Sequence, residues 1–254
     1  MVVFVDDLNM PKRDSYGTQQ PIALLKFLIE RGHMYDRSEP GDNDRLQKKT
    51  FRDLQYVAAM APPGGGRSVV DPRFTSLFSV FSITFPSQES LQRIYSSILT
   101  RHLENFSDEV KNVGTKITDV TLKLYSQLTA QLPPTPSKFH YVFNLRDLSR
   151  VYEGLLLSTP EKFGTAGALI RLWRNETMRV FHDRLISAKD QTLVAENIIG
   201  GLIKEHFPTE APIANANPLL YGDYRLVNSE LENPQLYEDL QDYDHARRLV
   251  LSFV

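Results

Sequence analysis

The 254-residue chain carries 29 Lys and Arg against 31 Asp and Glu, a net charge of −2 that offers no global basic field to nucleic acid or an anionic membrane. It has no cysteine, which excludes disulfides, thiolate catalysis and Cys-based zinc or iron–sulfur sites and fits a reducing compartment. No apolar run approaches the about 18 to 20 residues of a membrane span and the start lacks the plan of a signal peptide, so a cytoplasmic protein is expected, with the sequons at Asn105 and Asn175 chance matches.

The chain opens on Val2-Val3-Phe4-Val5, four apolar residues that read as a short strand buried on both faces of a parallel sheet, and it ends abruptly in Asp6-Asp7. Thr18 to Gly32 carries an apolar stripe, with Pro21 near the first turn and Gly32 just past the end, which predicts a helix. Residues 37–49 are charged and turn-rich and read as a loop. Leu54 to Met60 predicts a second buried strand running into Pro62-Pro63-Gly64-Gly65-Gly66-Arg67, and the alternating Ser79 to Phe85 a third.

Beyond a seam near Pro86 the pattern becomes helical. Ser87 caps one helix with Leu91, Ile94, Tyr95, Ile98 and Leu99 at helical spacing, and Ser107 begins another with Val110, Val113, Ile117, Val120, Leu124 and Leu128 on one face. The prolines after Leu132 stop it. Asn144 with Asp147 predicts a capping box opening the next helix; Thr159-Pro160-Glu161 starts a segment reaching about Leu185; and a further helix covers roughly Lys189 to Phe207. After Pro208 the chain is looser until an acidic helix from about Pro234. The fold class is therefore α/β plus all-α, helical overall.

A carboxylate at the end of a buried parallel strand lies where open α/β sheets place ligands. In P-loop nucleotidases that strand is the Walker B element, whose first acid holds Mg²⁺ while a second orients the attacking water. Asp6 and Asp7 have that form, with Asp where Glu is usual; the alternative is that both cap a turn. The Gly-rich loop ending in Lys-Ser/Thr that would cradle phosphates is absent from the sequence. The six histidines show no metal-type spacing, and no G-x-S-x-G elbow occurs. Arg73, in "DPRF", and Arg146, two residues past a helix cap, read equally well as surface arginines.

Together, "VVFVDDLNMPKRDSYGTQQPIALLKFLIERG", "YVAAMAPPGGGRSVVDPRF", "LPPTPSKFHYVFNLRDLSRVYEGLLL", "LIRLWRNETMRVFHDRLI" and "LYEDLQDYDHARRL" resemble, in this order and spacing, the third AAA+ module of an axonemal dynein heavy chain, closest to the inner-arm type. The resemblance implies a truncated P-loop-type sheet domain over residues 1–86 that lacks the Walker A region, a helical lid over 87–207 and a connector toward the fourth module over 208–254. It makes Asp6 the Mg²⁺-associated carboxylate, Asp7 the catalytic acid, Arg73 an arginine finger acting on the neighbouring module and Arg146 the sensor II residue that reaches the γ-phosphate. Arg67 fits either neighbourhood. The sensor I position falls near Ala61, whose side chain cannot hydrogen-bond.

The implied function is regulatory: an ATP-binding module of a ciliary or flagellar motor driving ATP-dependent, minus-end-directed movement on microtubules. A non-catalytic spacer of the ring is the alternative. ATP or ADP and Mg²⁺ are expected in the complete module and none in the chain alone, which is expected to be inactive. Implied partners are the neighbouring AAA+ modules, the intermediate and light chains and, through the parent motor, microtubules, with neither nucleic acid nor membrane. The implied location is the cytoskeleton of the ciliary or flagellar axoneme.

Overall fold

Strand β1 (Val2–Val5) pairs in parallel with β4 (Gln55–Ala58), Val2 opposite Gln55 and Val5 opposite Ala58. This pair belongs to the first of two units into which the chain divides, Met1–Thr84 and Phe85–Val254. The computed structural model describes residues 1–40, 46–64, 67–135, 137–223 and 236–251.

The expectation of strands buried on both faces fails in the first unit. Val2 and Phe4 are 61% and 62% exposed, because among the described residues the sheet has only two strands and no part of the unit covers that face. Val5 on the other face packs on a small core of Leu8, Ile22, Val70 and Phe74. Helix α1 (Gln20–Arg31) lies where its stop and start signals put it. Pro21 sits in the first turn, and Gly32 at φ 65° donates its N–H to the Leu28 carbonyl, a left-handed cap that favours glycine.

Two further expectations are corrected. The charged stretch 37–49 is not simply a loop: β2 (His33–Pro40) and β3 (Leu46–Thr50) form an antiparallel pair with an irregularity between Asp36 and Pro40, and 41–45 lie outside the described residues. All five residues of β3 are exposed and four of them, Gln47 to Thr50, are polar, so no apolar alternation marks it. Ser79 to Phe85 forms no strand, since no neighbouring strand is there to complete a ladder among the described residues; it leaves Phe81 and Ile83 83% and 93% exposed. Between them and β4 lies one helical turn, α2 (Pro72–Thr75), capped by Asp71.

The second unit is helical. The apolar rows of α3 (Gln88–His102) and α4 (Asp108–Gln131) bury Leu91, Tyr95, Leu99 and all six of the residues read on the second face, while Ile94 and Ile98 stay outside. Asn144 and Asp147 form the expected capping box at the start of α5 (Leu145–Leu155), each accepting the other's backbone N–H. Helix α6 (Ala166–Thr177) begins later than Thr159: the chain first turns to bury Phe163, and Thr165 then caps the helix through the Ala168 N–H.

From Met178 to His182 the helix widens to i→i+5 bonding, and it does so again at Leu193–Ile199 between α7 (Ala188–Thr192) and α8 (Gly200–His206). A short α9 (Ala211–Ala214) and the β5 (Tyr221–Gly222) and β6 (Glu238–Asp239) pair follow. The last helix, α10, spans Tyr243–Leu251 rather than starting at Pro234, which lies outside the described residues. Tyr237 to Asp239 instead turn their side chains onto α6 and the turn preceding it.

Candidate functional site

β1 delivers Asp6 and Asp7 to its carboxyl end as exposed side chains. Asp6 Oδ1 accepts the Asp7 N–H at 3.0 Å, so the first carboxylate holds the turn that aims the second, and its other oxygen has no partner among the described residues. Asp7 takes φ 47°, a left-handed conformation that costs a non-glycine residue roughly 1 kcal/mol or more and persists only where its surroundings fix it. Both readings of the pair are therefore present in one geometry: a capped turn, and two carboxylates open to a ligand.

The surroundings that fix the turn come from the stretch after β4. Leu8 donates its N–H to the Ala59 carbonyl and Ser68 its N–H to the Asn9 carbonyl. Asn9 is buried, and its amide donates to the Ala61 carbonyl at 2.7 Å. Gly64 and Arg67 exchange both backbone hydrogen bonds at 3.1 Å, and the Arg67 guanidinium lies 3.3 Å from Asp7 Oδ1. Arg67, held in reserve by the sequence, thus neutralises the second carboxylate. Asn9 was missed altogether; the signal for it is an amide two residues beyond a strand-ending acid pair, a residue type suited to bonding turn backbone.

Ala61 stands where the loop leaves β4 and contributes only its backbone carbonyl. Arg73 lies on α2, exposed, its backbone N–H held by Asp71 and its guanidinium without a partner among the described residues. Arg146 belongs to the second unit, at the second position of α5, also exposed and unpaired among the described residues. The adjacent Asp147 is buried and draws Arg150 and Arg184, so it leaves Arg146 free while fixing the helix start. Arg184 in turn lies 4.5 Å over the Phe143 ring.

A parallel strand ending in paired carboxylates and a separate helical unit containing a capped, arginine-bearing helix fall within residues that two family models assign to the AAA+ class. Comparison with known sequences narrows the class. A family described as "P-loop containing dynein motor region" matches residues 1–86, and one described as "AAA+ lid domain" matches residues 117–211. Over 98% of its length the chain is 53% identical to dynein axonemal heavy chain 10 of Homo sapiens and 51% identical to the dynein-1-alpha heavy chain of the flagellar inner arm I1 complex of Chlamydomonas reinhardtii. Over 95% of its length it is 37% identical to dynein axonemal heavy chain 2 of Mus musculus. The chain belongs to the axonemal dynein heavy-chain family. It spans about 5% of the length of those relatives.

Proposed function

We propose that the chain is part of a regulatory ATP-binding module, the third of its ring, in a ciliary or flagellar dynein heavy chain that moves along microtubules. In this reading residues 1–86 are part of the large subdomain, 87–207 the lid and 208–254 lead toward the next module. The whole protein works in the axoneme, alongside intermediate and light chains.

The observation that carries the reading is the placement of Asp6 and Asp7 at the carboxyl end of a parallel strand, exposed, with a free oxygen on Asp6. Hard carboxylate oxygens suit Mg²⁺, which keeps several waters and is commonly shared between one or two carboxylates and nucleotide phosphates. Bound there, Mg²⁺ would neutralise charge on the transferring phosphate. Asp6 is the residue to hold it, Asp7 orients the attacking water, Arg73 offsets charge at the neighbouring module's nucleotide and Arg146 engages the γ-phosphate from the lid.

A spacer role is favoured by two features: Arg67 occupies Asp7, and Ala61 supplies no side-chain donor. The two readings separate in the complete heavy chain. Asp6→Asn should abolish nucleotide retention at this module under the regulatory reading and change nothing under the spacer reading, as scored by nucleotide content of the purified motor. The 254-residue chain by itself should show no micromolar ATP binding in calorimetry; such binding would mean that these residues form a site unaided.

A further inference from the structure

The stretch after Pro208 reads in sequence as a connector. Its contacts are those of a core element. Arg171 and Arg174, one turn apart on α6, are both buried. Arg171 donates Nε to Asp239 at 2.7 Å, Nη2 to the Pro218 carbonyl at 2.6 Å, and Nη1 to the carbonyls of Ile213 and Ala216. Arg174 takes the carbonyls of Ala214 and Ala216 and the Asn217 side chain at 3.0–3.2 Å.

A third anchor is Glu176, 1% exposed, which accepts the Tyr237 hydroxyl at 2.8 Å and also bonds Arg179 and Asn175. Lys162 holds Glu238, and the Tyr221 ring lies parallel to Phe163. Arg171 is paired with Asp239 and bonded through all three of its nitrogens, and Arg174 is bonded through both Nη atoms to neutral oxygens while its Nε is buried without a partner among the described residues. Taking away what a buried charge is bonded to is strongly destabilising, so these arginines require the later segment as much as it requires them.

We infer that the lid of this chain runs on to Leu240, with 211–223 and 236–240 clamped to α6 by Arg171, Arg174 and Glu176 as one cooperative body, and that the joint where the chain leaves it is Gln241–Asp242. The joint has the form of a pivot. Gln241 sits at φ 64°, the Asp242 side chain accepts the His245 N–H at 2.6 Å, and α10 beyond it buries none of its residues. A displacement of the lid is then delivered to residue 240 without slack, rather than being absorbed from Pro208 onward.

Trp173, the single tryptophan, is buried on α6 with Nε1 bonded to Thr121 of α4, and so reports the lid core. The test is native-state hydrogen exchange of the 254-residue chain across a urea series, read beside Trp173 fluorescence. The Leu240, Asn215 and Ala216 amides, bonded to Leu220, Ala211 and Ile213, should open only in the transition that Trp173 reports, while α10 amides exchange at lower urea.

Arg171→Met should lower the lid folding constant by about a hundredfold or more, moving both probes together. Should that variant fail to fold, Tyr237→Phe makes a smaller cut at the third anchor and should shift both probes by the same smaller amount. Exchange of the strap amides before the Trp173 transition, or loosening of the strap by either variant with the Trp173 midpoint unmoved, would overturn the inference. The readouts are of folding, so they stand apart from any result on nucleotide.

Discussion

The two units differ in how they hold themselves together. The first rests on Leu8, Ile22, Val70 and Phe74, and it shows solvent the outer face of β1 and the side chains of Val80, Phe81 and Ile83. The second encloses a continuous core running from Leu91 to Ala214, with Trp173, Phe163 and Phe181 wholly buried. The difference teaches that helices can satisfy their backbone internally and need only one another, whereas a sheet element is complete only when its ladder and both its faces are covered. Stability of the chain should therefore reside in the lid.

The sharpest way to break this contrast is to open the lid core. Phe181→Ala should cost about 3–5 kcal/mol in urea unfolding followed by Trp173 fluorescence, the range for a fully buried aromatic. Gly154→Ala should cost about 1–3 kcal/mol, because the new Cβ would fall 2.0 Å from Glu176 Oε2, which Arg179 holds in place while Tyr237 holds Oε1. Removing the cap with Asn144→Ala should cost roughly 1 kcal/mol by the same measurement. At the other end of the scale, Phe4→Ala should stay within about 0.5 kcal/mol, since that ring is already in water. A large loss there would show that the first unit buries more than its own residues indicate.

Acid should separate the units as well. His102 is half-buried against the Ser158 carbonyl and hydroxyl, and burial holds its pKa below the ordinary 6.5, only partly opposed by the carbonyl. The unfolded chain therefore takes up a proton at a higher pH than the folded one. The resulting stability is fully present above 6.5 and is lost as pH falls below it through the folded value. Lid stability measured from pH 7.5 to 5.5 should decline, and His102→Gln should flatten that slope.

Helix ends were the most legible part of the sequence. Pro21, Gly32, Ser87 and the Asn144–Asp147 box act through atoms within a turn of themselves, so their chemistry is local. The acid pair was legible for the same reason. What escaped was set by partners far along the chain: Arg67 on Asp7 is 60 residues distant, and the Asn9 amide finds Ala61 across 52. The alternation of Ser79 to Phe85 is real β character without a ladder to join, and the β2–β3 pair is a ladder without alternation. Composition alone gave no sign that Arg171 and Arg174 would be buried, because arginine is mostly a surface residue until backbone carbonyls surround it.

The widened turns at Met178–His182 and Leu193–Ile199 carry a consequence for inheritance. An i→i+5 turn is an α-helix that has accepted an additional residue without breaking, and each such residue swings everything downstream by roughly 100° about the axis. A deletion within 193–199 should therefore be absorbed as ordinary helix locally, yet it would rotate Leu202 and Ile203 out of the core and strand the Lys123–His206 contact. Length in this stretch is a spacing that descent can change only at the expense of the helix that follows it.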